Sequence, residues 1–163
     1  MEIVELNQNH WEDVRAIYLQ GIATKQATFQ TTASEWEEWD QSHLPKVRYV
    51  ALIDQSVAGW VALSAVSSRC VYAGVAEVSV YIHQDFRARG VGAALMQRVI
   101  TESELKNIWT LQSGIFPENT ASIGLHEKCG FRKVGYREKI GKMDGIWRDT
   151  VLMERRSKIT GQD

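Results

Sequence analysis

One short segment constrains this chain more than any other: Arg87-Ala88-Arg89-Gly90-Val91-Gly92-Ala93. It follows an apolar stretch, residues 76–82, that is typical of a strand, and it precedes a helical pattern from residue 94 to about residue 105. A glycine-containing loop between a strand and a helix forms an anion site, because the N–H groups of the first helical turn are free and the helix dipole is positive there. Gly90 and Gly92 lack a Cβ, so the backbone can approach a phosphate group closely. We therefore predict that this loop binds a phosphate-bearing ligand.

The residues around the loop exclude two common nucleotide sites. A Walker-type loop needs a Gly-Lys-Ser/Thr sequence, which does not follow here. A dinucleotide-binding loop needs three glycines and an acidic residue about twenty positions further on. Arg87 stands where the first of those glycines would be, and residues 109–112 hold no carboxylate. The predicted phosphate site is therefore of another kind.

Length, charge and cysteine content limit the possible classes of protein. A chain of 163 residues is sufficient for one domain with a full core, and a net charge of −1 argues against nucleic acid or a membrane surface as the partner. No membrane-spanning helix, signal peptide or metal site is expected, and Cys70 and Cys129 fit reduced thiols in the cytoplasm. We predict a cytoplasmic protein with a single domain over residues 1–156 and a loose tail over residues 157–163.

Hydrophobic periodicity predicts the element order β-α-α-β-β-β-α-β-α-β-β. The predicted strands cover residues 2–6, 47–53, 57–66, 75–83, 108–115, 131–140 and 146–154. Two overlapping patterns that resemble capping boxes, at residues 32–35 and 34–37, predict the start of the second helix. Hairpins early in the chain and strand–helix alternation later favour an α/β (α+β) fold with a mixed sheet and helices on both faces.

A second motif lies about thirty residues beyond the glycine loop. Residues 119–131 have the pattern Asn-x-x-Ser-x-x-Leu-x-Glu-Lys-x-Gly-Phe, in which Asn119 can cap a helix and Gly130 can end it. Together with the loop pattern Arg-x-x-Gly-x-Gly/Ala, this motif resembles the GCN5-related N-acetyltransferase (GNAT) family. The resemblance implies acetyl-CoA as co-substrate and a mostly antiparallel sheet that splays between its fourth and fifth strands.

Three further stretches resemble one branch of that family, the phosphinothricin and methionine sulfone N-acetyltransferases. They are Thr28-Phe29, residues 75–82 (Val-Ala-Glu-Val-Ser-Val-Tyr-Ile), and the C-terminal segment from Gly141 that contains Gly-Ile-Trp-Arg-Asp. The resemblance covers nearly all of residues 1–156. It implies transfer of an acetyl group to the amino group of a small amino acid analogue such as phosphinothricin, methionine sulfoximine or methionine sulfone, and it implies a homodimer.

The resemblance also assigns residues to the coenzyme. The backbone of the glycine loop, from Arg87 through Ala93, is expected to bind the pyrophosphate. Val80, Tyr81 and Ile82 are expected to lie along the pantetheine arm. Asn119 and Ser122 are expected to contact the coenzyme from the following helix, where Asn119 also acts as the cap.

Glu77 is the predicted catalytic base. Strand alternation places it with Val75, Ser79 and Tyr81 on one face of a mostly apolar strand. A carboxylate there is costly unless it is paired or hydrated, and sites of proton chemistry tolerate that cost. The resemblance implies that Glu77 binds the substrate amine or removes its proton through a water molecule. The structural alternative is an ion pair with an arginine such as Arg69.

Four other side chains are candidates for the site. His126 stands where many family members have a tyrosine, so it either protonates the leaving thiolate, binds the coenzyme or packs structurally. Arg69, with Tyr72 nearby, either meets the acidic group of the substrate or is a solvated loop residue. Phe29 is either a wall of the acceptor pocket or core.

The sequence is compatible with two other functions. The first is a peptide or protein N-terminal acetyltransferase of the same fold, which would need an open groove. The second is an acyl-CoA-binding sensor without turnover, which the presence of Glu77 disfavours.

Overall fold

The computed structural model describes residues 1–162, which form a seven-stranded sheet in the order β1-β2-β3-β4-β5-β7-β6. The strands are β1 (Glu2–Glu5), β2 (Tyr49–Ile53), β3 (Ser56–Ala65), β4 (Val75–Ile82), β5 (Thr110–Ile115), β6 (Arg132–Met143) and β7 (Ile146–Arg156). The helices are α1 (Trp11–Ala23), α2 (Trp36–Ser42), α3 (Val91–Leu105) and α4 (Thr120–Lys128). Only β4 and β5 pair in parallel within the described residues, so the predicted mixed, mostly antiparallel sheet is confirmed.

Helices cover both faces of the sheet, as predicted. On one face, α3 and α4 pack over an aliphatic core that contains Ala76 and Val78 of β4. On the other face, α1 and α2 enclose a core rich in tryptophan, against which Tyr81 packs. Alternate residues of β4 therefore enter different cores, which confirms the predicted alternation of that strand.

The sheet splays between β4 and β5. These strands pair only from Val75–Thr110 to Glu77–Gln112, although β4 continues to Ile82. On its other side, β4 stays paired with β3 as far as Ile82. Backbone groups on the β5 side of β4 beyond Glu77 are therefore free of the sheet, as at an edge strand, and can bind an extended ligand.

Two helix starts differ from the sequence predictions. Helix α3 begins at Val91 rather than at residue 94, because Gly90, with φ of 79°, forms its N-cap and Gly92 is already in the first turn. Helix α2 begins after Glu35, whose side chain makes no capping hydrogen bond, so both capping-box predictions are wrong. Glu35 instead forms an ion pair with Arg15 of α1, at 3.5 Å.

The sequence predicts a loose tail after β7; in the structure this segment is anchored by hydrogen bonds near Ser157, while Lys158, Ile159 and Gln162 are exposed. Ser157 is buried, and its N–H donates to the Trp109 carbonyl at 2.7 Å. Its hydroxyl donates to Glu104 at 2.8 Å, and Arg156 donates to the Thr160 carbonyl at 3.0 Å. The tail prediction also included Asp163, which lies outside the described residues.

No helix within residues 1–162 is both long enough and apolar enough to cross a membrane.

Candidate active site

A cleft of about 1420 Å³ opens where β4 separates from β5. One wall, here called the glycine-loop side, is built from the residues around the N-termini of α3 and α4. The opposite wall, here called the aromatic side, is lined by five rings that come from α1, the loop after it, α2, β3 and β4: Tyr18, Phe29, Trp39, Trp60 and Tyr81. β4 runs between these two walls and contributes to both.

The glycine-loop side presents free backbone donors to the cleft. Intrahelical bonding in α3 begins with the N–H of Ala94, which donates to Gly90 at 3.0 Å, so the N–H groups of residues 91–93 have no acceptor within the helix. Of the seven predicted loop residues, all but Arg89 line the cleft. The guanidinium of Arg89 instead lies over the Phe86 ring at 5.4 Å.

Gly92 also allows α4 to approach α3. A Cβ at Gly92 would lie 3.0 Å from a methyl group of Leu125, so a larger residue would require the Leu125 side chain to move. At the start of α4, the side-chain oxygen of Asn119 accepts the Ser122 N–H at 3.1 Å, as predicted for a cap. The amide nitrogen of Asn119 donates to the Gln26 carbonyl at 3.1 Å, which ties α4 to the loop after α1.

Val80, Tyr81 and Ile82 line the cleft along the unpaired part of β4. The Tyr81 ring stacks on Trp60 at 4.9 Å, and its hydroxyl donates to the Ala27 carbonyl at 3.4 Å. Burial raises the pKa of Tyr81, so its hydroxyl stays protonated at any physiological pH. Tyr81 therefore has a rigid side chain on the aromatic side and a backbone that is accessible from the cleft.

Glu77 is the last residue of β4 that pairs with β5, and the cleft begins there. Its carboxylate is half-buried and accepts one hydrogen bond from the Gln112 side chain, at 3.3 Å. None of the ion pairs within residues 1–162 involves Glu77, so the alternative of an ion pair with Arg69 is not realised. The carboxylate oxygens therefore have acceptor sites left for hydrogen bonds from an amine or a water molecule in the cleft.

The structure places Phe29 in the same cleft as Glu77, but it leaves Arg69 and Tyr72 outside that cleft. Phe29 lines the cleft and meets the Phe116 ring edge-to-face at 4.8 Å. Arg69 and Tyr72 are exposed, and the guanidinium lies over the tyrosine ring at 5.5 Å. A short 3-10 turn over Cys70–Tyr72 holds them at the surface, outside the residues that line the cleft.

His126 lies in the wall of the cleft and is only 1% exposed. Its Nδ1 lies 2.7 Å from the Ser122 carbonyl oxygen, and because that oxygen can only accept, Nδ1 carries the proton. Its Nε2 is buried and has no hydrogen-bond partner among residues 1–162. Burial lowers the pKa of His126, and the bond to Ser122 opposes this only in part. The favoured form is neutral, with no proton on Nε2 to give to a leaving thiolate.

Several residues of the aromatic side are absent from the sequence prediction of the site: Tyr18, Glu38, Trp39, His43 and Trp60. The sequence shows them only as members of apolar or helical patterns, and the tertiary packing brings them together. The strongest signal is Gly21 in α1, where a Cβ would lie 2.7 Å from the Tyr81 ring. That glycine lets α1 lie directly against β4.

The cysteines and the acidic residues give no sign of other chemistry. Cys70 and Cys129 are unpaired, and neither lines the cleft. Burial raises the pKa of the Cys129 thiol, which disfavours the reactive thiolate. The described residues contain no group of three or more histidine, cysteine, aspartate and glutamate side chains that is placed to hold a metal ion.

Comparison with known proteins gives consistent matches. The family model described as the Acetyltransferase (GNAT) family matches residues 8–131. A phosphinothricin N-acetyltransferase of Alcaligenes faecalis is 32% identical over 149 residues, which cover 87% of this chain and 75% of that protein. An L-methionine sulfoximine/L-methionine sulfone acetyltransferase of Pseudomonas aeruginosa is 34% identical over 83 residues, which cover 51% of this chain and 48% of that protein.

A solved structure shares the whole fold. It is a GNAT superfamily phosphinothricin acetyltransferase from Sinorhizobium meliloti in complex with acetyl-CoA, with a TM-score of 0.86 and 23% identity. The match covers 99% of this chain and 94% of that one.

Proposed function

Because this chain belongs to the acetyltransferase (GNAT) family, we propose that it transfers the acetyl group of acetyl-CoA to the amino group of a small amino acid analogue. The names of the relatives support acceptors of the phosphinothricin, methionine sulfoximine or methionine sulfone type. The observation that carries the proposal is the position of Glu77, a half-buried carboxylate between the aromatic side and the unpaired part of β4.

The glycine-loop side fits acetyl-CoA. The free N–H groups of residues 91–93 and the positive end of α3 suit the pyrophosphate, and Arg87 adds positive charge at the rim. The free edge of β4 beyond Glu77 suits the pantetheine arm, whose amides can pair with a strand. Asn119 and Ser122 enclose the arm from the α4 side.

The aromatic side fits a small amine. Its rings provide apolar walls, and Glu77 and Glu38 are two carboxylates that favour a cationic amino group. The exposed Arg69 and Tyr72 are outside this proposed acceptor site. Glu77 takes a proton from the bound ammonium group, directly or through a water molecule.

The neutral amine then attacks the thioester carbonyl. The nitrogen–carbon bond forms, the carbon–sulfur bond breaks, and the second amine proton ends on the coenzyme A thiol. Among residues 78–80, a backbone N–H on the free edge of β4 meets the developing oxyanion. Transfer is direct, because neither thiol lines the cleft: Cys70 is exposed elsewhere, and Cys129, which lies within the second motif, is outside the cleft and has its pKa raised by burial. Holding both reactants together provides much of the rate.

The test is thiol release from acetyl-CoA with a panel of amines. The panel contains phosphinothricin, methionine sulfoximine, methionine sulfone, the common amino acids, polyamines and short peptides. We expect release with the sulfone-type analogues. Release with peptides alone would keep the reaction and overturn the substrate class, and coenzyme binding without release from any amine would favour a sensor.

We also propose that the protein is a cytoplasmic homodimer. Its unpaired cysteines suit a reducing compartment. The hairpin of β6 and β7 exposes five large apolar side chains that a second copy would cover: Val134, Tyr136, Ile140, Ile146 and Trp147. Sedimentation of the wild-type protein should give a dimer and Trp147→Glu a monomer. Monomeric wild-type protein at micromolar concentration would contradict the dimer.

A further inference from the structure

Arg148 of β7 is a partly buried arginine that the proposed reaction does not use. Its side chain is 13% exposed, and its guanidinium makes four contacts. It donates to the Lys25 carbonyl at 3.0 Å, to the Gln26 side-chain oxygen at 3.0 Å and to the Glu118 carboxylate at 3.4 Å. The guanidinium carbon also lies 4.0 Å from the centre of the Phe116 ring. A flat, five-donor group suits such a junction better than a lysine would.

Two of these contacts are to residues 24–31, the segment after α1 that we call the acceptor loop. Much of this loop lines the cleft, including Thr28 and Phe29. Phe29 packs against Phe116, the ring over which Arg148 lies. A Cβ at Gly141 of β6 would lie 2.8 Å from the Phe29 ring, so the backbone of β6 packs closely against Phe29 at this position. Arg148 thus supports the backbone of the loop and its aromatic wall at the same time.

The loop contains few other restraints on this side. Lys25 has a positive φ of 57°, and its ammonium group pairs with Asp144 at 2.9 Å, where both side chains are more than half exposed. Asn119 donates to the Gln26 carbonyl at 3.1 Å from the glycine-loop side. Because exposed ion pairs contribute little, the less exposed guanidinium of Arg148 is the main charged tie between the loop and the sheet.

We infer that Arg148 is a positioning residue for the acceptor. It fixes the acceptor loop and Phe29 against the coenzyme-binding half, so that the bound amine lies next to the thioester. The inference rests on the proposed acetyl transfer, but the physical claim, that Arg148 orders residues 24–31, holds whatever the acceptor is. Arg148 does not line the cleft itself and acts through the loop.

The kinetic test separates the two substrates. In Arg148→Ala we expect the KM for the acceptor to rise about tenfold, as the loss of charged hydrogen bonds predicts, while the Kd for acetyl-CoA changes less than about twofold. Arg148→Lys keeps the charge but loses the forked donor geometry of the guanidinium. Its acceptor KM should therefore lie between the values of Arg148→Ala and the wild type. An unchanged acceptor KM, or an equal loss of acetyl-CoA affinity, would overturn the inference.

Arg132→Ala is the matched control, because Arg132 is an exposed arginine of the same hairpin that pairs with Glu154. Its kinetic constants should equal those of the wild type. If no amine supports turnover, the proposed function fails, and amide hydrogen exchange then tests the inference alone. Residues 24–31 should exchange faster in Arg148→Ala, partly recover in Arg148→Lys and stay unchanged in Arg132→Ala. Unaltered exchange in all three variants would overturn the positioning role.

Discussion

The two walls of the cleft are made in different ways. The glycine-loop side presents mainly backbone groups from two short segments, each continuous in sequence: the start of α3 at Gly90 and the start of α4 at Asn119. The aromatic side is made of side chains from five elements that are far apart in sequence. Helix termini bind any phosphate through generic N–H groups, whereas rings and carboxylates placed by packing recognise one shape and charge.

This difference suggests a division of labour. The backbone wall suits the invariant part of the reaction, the coenzyme, and the side-chain wall suits the acceptor. Glu77 stands at the boundary, as the last residue of β4 that pairs with β5. Arg148 and Asn119 connect the two walls through the acceptor loop. If the two walls have separate roles, a substitution in one wall should leave the ligand of the other wall bound as in the wild type. The following variants test this.

The largest effect is expected for Glu77→Gln. This change keeps the shape and the contact with Gln112 but removes the base, so kcat should fall about 100-fold or more. Thiol release measures turnover, and calorimetric titration should give a Kd for acetyl-CoA within about twofold of the wild type. Because free amine becomes more abundant at high pH, the residual activity should rise with pH. A parallel loss of acetyl-CoA affinity would contradict both the base assignment and the separation of the walls.

Gly90→Val should damage the other wall alone. Gly90 has φ of 79°, and a left-handed conformation costs a residue with a Cβ about 1–2 kcal/mol, more for a branched one. This strain should displace the loop, so acetyl-CoA affinity should fall about tenfold while the acceptor KM stays unchanged. The control is Gly135→Val on β6, where a Cβ would meet no atom within 4 Å. A changed acceptor KM in Gly90→Val would show that the walls are coupled.

The same difference explains what the sequence could predict. Glycine, an asparagine cap and a strand-to-helix step are local features, so the Gly90 loop and the Asn119 cap are confirmed as structural elements at the cleft. Period-2 alternation also assigns Glu77 and Tyr81 to the correct face. These predictions depend on residues that are neighbours in the chain.

The rest depends on tertiary contacts. Trp39 and Trp60 show only core periodicity in the sequence, yet both line the cleft, where the Trp39 ring of α2 meets the Trp60 ring of β3 edge-to-face at 5.7 Å. Nothing local indicates that Arg148, in the last strand, meets a loop more than 100 residues earlier. Nor does the local pattern show that Arg69 stacks on Tyr72 at the surface instead of entering the cleft.

Each wall also contains one histidine whose pKa is lowered, which gives a pH test of burial. Desolvation lowers the pKa of both His126 and His43, and the bond to Trp39 opposes the shift in His43. As the pH falls below about 6.5, the unfolded chain takes up these protons before the folded chain does, so stability falls. His126→Gln should therefore lose less stability between pH 7 and pH 5 than the wild type, by at most about 1.4 kcal/mol per pH unit.

Urea denaturation at the two pH values measures this difference. His43→Gln should flatten the pH dependence less, because His43 is only half-buried whereas His126 is 1% exposed. An identical pH dependence in His126→Gln and the wild type would show that His126 titrates normally. It would also reopen its role as the acid that protonates the thiolate.

The smallest effect is expected for Lys25→Ala, which tests whether the acceptor loop is held by charge at the surface or by the partly buried guanidinium. The ammonium and Asp144 are 69% and 53% exposed, so the pair should contribute less than about 1 kcal/mol and weaken further in high salt. Arg148 binds the carbonyl of residue 25, not its side chain, and this tie survives the substitution. The acceptor KM and the unfolding free energy should both stay near the wild-type values. A rise in KM as large as that in Arg148→Ala would mean that the exposed ion pair orders the loop as strongly as Arg148 does. That result would contradict the conclusion that the partly buried guanidinium is the main charged contact of the loop.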